Sequence, residues 1–149
     1  MPDPELRTLT ALRRLRRVET DEARRHLGEA LAHETELAAR DEAMRGELEA
    51  GRQVSGDFDR DAFSAWWARM GSMRGKLADA MRQAEIRTAA TRTVLANRRV
   101  AETAAEDALA REMSAREVTV ARRDQAVLED VARALKRAAE TNKTSKRPE

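Results

Sequence analysis

Apolar positions recur along this chain at helical intervals. Leu9, Leu12, Leu15 and Val18 open the pattern, and Leu27, Ala30, Leu37, Met44 and Leu48 carry it on. A second set runs through Phe63, Trp66, Met70, Met73, Leu77, Ala80 and Ala84, and thins to Thr91, Leu95, Ala101, Ala105 and Leu109. Steps alternating between three and four residues are those of a helix with one buried seam, and they favour a left-handed coiled coil. Between the two sets lies Gly51-Arg-Gln-Val-Ser-Gly-Asp-Phe-Asp59, a cluster of glycine, serine and aspartate that favours turns and caps. The pattern predicts an all-α fold, a single coiled-coil domain over 1–149. Helix 4–50, a turn over 51–60 and a longer helix 61–141 make an antiparallel two-helix coiled-coil hairpin, followed by a short disordered tail, 142–149. Gly71 and Gly75 offer a rival point of reversal, or else a weak point or a close helix approach.

Asp3 is placed to cap the first helix, Pro4 fits its first position, and Glu5 suits the positive end of the helix dipole. On a wheel of about 100° per residue, Ala11, Leu12, Leu15 and Val18 share one broad face, expected to meet the second helix. Arg13, Arg17 and Arg24 align on the opposite face. That row is either a solvated surface paired with neighbouring acids or a docking stripe for an acidic partner. No aromatic residue lies beside it to stack bases, so nucleic acid is not the expected ligand. Of the adjacent Trp66 and Trp67, only one can face the seam, since neighbouring helical residues diverge by about 100°. The other is expected to be exposed, as part of a lid over the turn or as a protein-binding anchor.

Chain length gives the last positional expectation. With the reversal near Ser55, Leu48 pairs with about Phe63, Leu27 with about Ala84 and Leu9 with about Glu102. Residues beyond roughly 110 then have no intramolecular partner, by the same helical spacing. Met113, Val120, Val127, Val131 and Leu135 nevertheless lie along one face there, and an unburied apolar stripe marks an interaction site.

Composition narrows the class. Charged residues are 38% of the 149 and aromatics 3%, and the mean hydropathy is -0.74. Bulky apolar material is too scarce for a multilayer core, while the near cancellation of charge (29 basic, 27 acidic) suits long helices. A formal charge of +2 does not mark a nucleic-acid binder as a whole. Cysteine is absent, which removes disulfide and thiolate chemistry. The N-terminus has no apolar stretch of signal-peptide type, and no apolar run approaches the ~18 residues of a membrane span, so a soluble cytoplasmic protein without direct membrane insertion is expected. The two histidines, His26 and His33, are too few for a zinc site. No glycine-rich phosphate loop is present, and the carboxylates fall on solvated helix faces, so neither catalytic residues nor cofactors are expected.

Three stretches carry a family resemblance. They are the Leu-x-x-Leu-Arg-Arg-Leu-Arg-Arg-Val-Glu-x-x-Glu-Ala run from Leu9 to Ala23, the Phe63-Ser-Ala-Trp-Trp block, and the Arg122-Arg123-Asp-Gln-Ala-Val-Leu-Glu-Asp-Val-Ala-Arg run with its short basic tail. With them the chain resembles the FliJ/YscO family, stalk proteins of flagellar and injectisome type III secretion systems. The resemblance implies a non-enzymatic shaft that binds the hexameric export ATPase, contacts the export gate protein and handles export chaperones. It implies a cytoplasmic protein held at the inner membrane only through partners, with Arg13, Arg17 and Arg24 as a docking face and the free ends of the hairpin entering the ATPase ring. The Trp-Trp pair, where a single tryptophan is more typical, and the richness in Ala and Arg leave open which of the two systems is meant. The alternative reading is a coiled-coil adaptor or self-associating scaffold that forms a homo-oligomer.

Overall fold

The computed structural model describes residues 4–54 and 59–144. It contains two helices, α1 (Pro4–Val54) and α2 (Arg60–Thr144), and no strand among the described residues. Both helices are longer than the pattern of glycines suggests. α1 continues through Gly51 to Val54, and α2 takes in Arg60 and runs past the expected end at 141 to Thr144. Asp3, Phe58, the centre of the turn (55–58) and the end of the tail (145–149) lie outside the described residues. Asp59 starts α2: its side-chain Oδ1 accepts a hydrogen bond from the Asp61 N–H at 3.2 Å, and its carbonyl accepts one from the Phe63 N–H at 3.0 Å. An aspartate at that position satisfies donors that the first turn of a helix leaves open.

Gly71 and Gly75 both lie inside α2, so the chain does not reverse there. Nothing comes within 4 Å of a Cβ built on either. They are sites of low helix propensity rather than sites of close approach.

Two compact units divide the chain, Arg14–Thr103 as one and Met1–Arg13 with Ala104–Glu149 as the other. Within Arg14–Thr103, partners fall along α2 as residue numbers rise along α1. Glu19 pairs with Arg98 at 3.1 Å. Leu37 and Ala38 share a groove with Met81 and Ala84, and Met44 shares one with Met73 and Leu77. Gly51 lies against the Trp66 ring. The buried residues of this unit are Thr20, Ala23, Ala30 and Leu37 from α1, and Met70, Ala84, Thr88 and Leu95 from α2. In the second unit Ala105 and Leu109 are buried, and Glu5 meets Arg116 at 3.7 Å.

These contacts correct the expected pairing. Glu19 meets Arg98, where a reversal near Ser55 would set it opposite a residue near 92. Pairing is displaced by about six residues along α2, because α1 keeps its helical rise of ~1.5 Å per residue through Gly51 and beyond. Leu15 and Val18 do not face the seam either; they are 54% and 56% exposed. Successive steps of three residues each fall about 60° short of a full turn, so Leu9, Leu12, Leu15 and Val18 wind around the helix. Within Arg14–Thr103 the α1 side of the seam instead passes through half-buried Arg16 and Glu19 to buried Thr20 and Ala23. Met73 is also half out of the seam, although its neighbours Met70 and Leu77 are not.

Two predictions come from this packing. Gly46 has open space around its Cα, so Gly46→Ala should stabilise the fold by about 0.5–1 kcal/mol through helix propensity. A Cβ on Gly51 would collide with the rigid Trp66 ring, so Gly51→Ala should cost about 1–3 kcal/mol despite the same gain in propensity. Urea unfolding of the two variants should move the midpoint in opposite directions; a shared direction would mean that Trp66 does not rest on Gly51.

The second prediction concerns Thr88. Its side chain is buried, and its hydroxyl has no hydrogen-bond partner among the described residues, whereas buried Thr20 donates to the Arg16 carbonyl at 3.0 Å. Replacing a buried unpaired hydroxyl by a methyl of similar shape relieves desolvation, so Thr88→Val should stabilise the protein by about 1 kcal/mol, while Thr20→Val should gain less. Thermal unfolding of both variants compares the two directly.

Candidate partner-binding surfaces

α2 outlasts its contacts. Up to residue 141, Arg116 is the last residue of α2 that is partly buried, tied to Glu112 at 2.7 Å as well as to Glu5. Every residue over 117–141 is exposed. The unaccompanied segment therefore begins past Arg116 and not near 110, and Met113 lies beside the contacts of Glu5 with Arg116 instead of beyond them. The stripe read from the sequence is exposed throughout: Met113, Val120, Val127, Val131 and Leu135 are each at least half open, with Val127 at 62% and Leu135 at 66%. Val118 and Leu128 are exposed as well. Leu128 widens the stripe on one side, about 100° from Val127 on the helix. The signal for it is its seven-residue spacing from Leu135, which sets the two within about 20° of each other on the helix.

What keeps this segment helical is local. Arg133 pairs with Glu129 and Asp130, each at 3.3 Å, and Gln125 donates to Glu129 at 3.1 Å. Such i,i+3 and i,i+4 links contribute a few tenths of a kcal/mol each.

Arg13, Arg17 and Arg24 are all exposed. Arg24 is engaged by Asp21 at 2.6 Å, an i,i+3 pair on the same helix. Arg13 and Arg17 have no ionic partner among the described residues. Within Arg14–Thr103 the fold brings a second group of arginines near the first. Arg98 reaches Glu19, and Arg87 lines a shallow groove with Ala23 and His26. Arg14, Arg16, Arg17, Arg24 and Arg25 of α1, together with Arg87, Arg92, Arg98 and Arg99 of α2, outnumber Glu19, Asp21 and Glu22 over these stretches. The α2 share of this basic belt is legible only once the helices are paired, because some seventy residues separate the two groups.

Trp66 is half-buried and Trp67 is 41% exposed, so the adjacent pair divides as helical geometry requires. Phe63 stands 5.7 Å from Trp66 and 6.1 Å from Trp67, centroid to centroid, and the two indoles are 6.0 Å apart. The Arg52 guanidinium lies 5.5 Å from the Trp67 ring centroid, a cation–π contact that covers part of the exposed indole. His26 and His33 are exposed, each near one glutamate, Glu29 at 3.7 Å and Glu36 at 4.0 Å. No group of three metal-ligating side chains occurs among the described residues, and none of their helices is long and apolar enough to cross a membrane.

The strongest electrostatic tuning in the basic belt falls on Glu19. A hydrogen bond from Arg16 at 2.8 Å, with the charge of Arg98 beside it, holds its carboxyl below the usual glutamate value against a smaller opposing effect of desolvation.

Compared with protein-family models, with curated proteins and with solved structures, the chain matches none.

Glu19 supplies a pH prediction. Its folded-state pKa is lowered, so the stability it contributes is fully present above the ordinary glutamate pKa and is lost as pH falls from there through the lower folded value. Glu19→Gln should therefore lower stability at neutral pH and flatten its decline in acid. Urea midpoints measured from neutral to acid pH check this, and parallel curves for wild type and variant would contradict it.

Proposed function

We propose that the chain is a non-enzymatic stalk of a type III secretion export apparatus. In this reading the two helices form an antiparallel coiled-coil hairpin whose free end enters the hexameric export ATPase, couples it to the export gate protein and handles export chaperones. Support for the coiled coil comes from contacts that fall along α2 as they rise along α1 within Arg14–Thr103. The observation that carries the function is the exposed segment 117–141, which leaves a row of valines and leucines uncovered. Burying each such side chain is worth about 1.5–3 kcal/mol, so a helix that displays several of them is built to be held. Arg13 and Arg17 fit the second half of the proposal, a basic surface turned toward an acidic partner.

The test is the double variant Val127→Asp, Val131→Asp. It should weaken co-sedimentation with the export ATPase at least about tenfold, because two desolvated carboxylates would enter the interface. Circular dichroism should be nearly unchanged, since neither valine is covered in the free chain. Undiminished ATPase binding would remove the stalk reading. Loss of a chain dimer in sedimentation, with no ATPase binding at all, would replace it with the self-associating scaffold.

A further inference from the structure

The exposed face of 117–141 is not uniformly apolar. At about 100° per residue it presents two seam rows: Val120, Val127 and Ala134 on one, and Glu117, Asp124 and Val131 on the other. Two carboxylates therefore stand in the middle of the stripe, at the end nearest Arg116, and the half beyond them is apolar. All six residues are exposed. Their spacing of seven residues sets Glu117 and Asp124 about 10 Å apart along the axis.

A second copy of the chain is a poor occupant of this face. In a parallel, in-register pair Glu117 would meet Glu117 and Asp124 would meet Asp124, like charges inside a seam. An antiparallel pair that brings Val131 onto Val120 of the other copy sets Asp124 against its Val127, a carboxylate buried without a cation. No register that overlaps 117–124 escapes this, because neither seam row over 117–141 contains a lysine or arginine, and one that avoids both carboxylates is left with only about four turns, 127–141, to pair. The same carboxylates suit a partner that brings the missing charge. We infer that the exposed face of 117–141 receives an amphipathic helix of another protein, whose apolar seam carries two basic side chains one heptad apart, seated on Glu117 and Asp124. The apolar half of the face, around Val127 and Val131, supplies the contact area, and the carboxylates set the register and exclude acidic helices and self-pairing. The inference takes from the proposed function only the premise that a partner holds this helix.

Two synthetic amphipathic peptides provide the test, identical except that two seam positions seven apart are Lys in one and Glu in the other. Each is titrated against the full chain by fluorescence anisotropy. The Lys peptide should bind at least about tenfold more tightly than the Glu peptide, and the gap should narrow with added salt. Glu117→Gln with Asp124→Asn should close the gap, and Glu117→Lys with Asp124→Lys should reverse it, with circular dichroism unchanged in both. Equal affinities, binding of neither peptide, or a wild-type dimer dissociated by Val127→Asp would each overturn the inference. An export ATPase that fails to bind while the Lys peptide binds would remove the secretion reading and leave this one standing. ATPase binding together with indifference to peptide charge would do the reverse.

Discussion

α1 and α2 can bury only a narrow stripe of each other, and that stripe is built mainly from small side chains. Ala23, Ala30, Ala84 and Ala105 are among the most buried residues, and larger ones occur only at intervals, at Leu37, Met70, Leu95 and Leu109. A buried methyl stabilises far less than a buried leucine, at about 0.8 kcal/mol per carbon group. Cohesion is therefore spread thinly along the helices, with no dense centre. The cross-helix ion pairs do not make up the difference, since ion pairs that solvent reaches gain little over their hydrated parts. Their effect is on alignment, because a slip of one helix along the other breaks them.

The same thin seam explains why individual contacts matter near the turn. At Gly51 the absence of a side chain lets the Trp66 ring lie on the helix backbone, and this is the closest approach of a bulky group to α1 at any described glycine. Phe63 and Trp67 then stack on each other, both tilted against Trp66, and Arg52 covers part of Trp67. Four residues close to the turn are thereby locked to one another, where aromatic area gives more per residue than alanine does. Farther along, Thr20 and Thr88 are the most deeply buried side chains of the seam, and only one of the two hydroxyls has a hydrogen-bond partner among the described residues.

Much of this was legible in the sequence, and the failures have physical causes. Two helices, the break near residue 55, the division of labour between Trp66 and Trp67 and the exposed C-terminal stripe all follow from periodicity and chain length. The end of α1 did not, because glycine is a poor helix former in isolation and only the Trp66 contact makes Gly51 useful inside a helix. That misplacement propagated into the pairing, and so moved the start of the unaccompanied segment from about 110 to 117. Leu15 and Val18 differ for another reason: a face broad enough to hold Leu12, Leu15 and Val18 is wider than the seam, because a strict step of three rotates off any single face. The basic belt could be read only in half, since Arg98 meets Glu19 beside Arg16 through pairing and not through proximity in sequence.

Where each kind of apolar residue is used bears on what the C-terminal segment is for. The paired stretches bury Ala, Leu, Met and Thr and leave Val18, Val94 and Val100 exposed singly, whereas the exposed Val118, Val120, Val127 and Val131 follow one another within the unaccompanied segment. Valine loses side-chain freedom in a helix, and a position that needed only helix stability would favour alanine, glutamate or lysine. Helix propensity therefore does not account for these valines, and solubility opposes them. What a β-branched side chain offers on an exposed helix is a stiff, preformed apolar knob that loses little further entropy when a partner closes over it. Set among Glu117 and Asp124, such knobs suit the proposed role of this segment, in which contact with one kind of surface is favoured over indiscriminate adhesion.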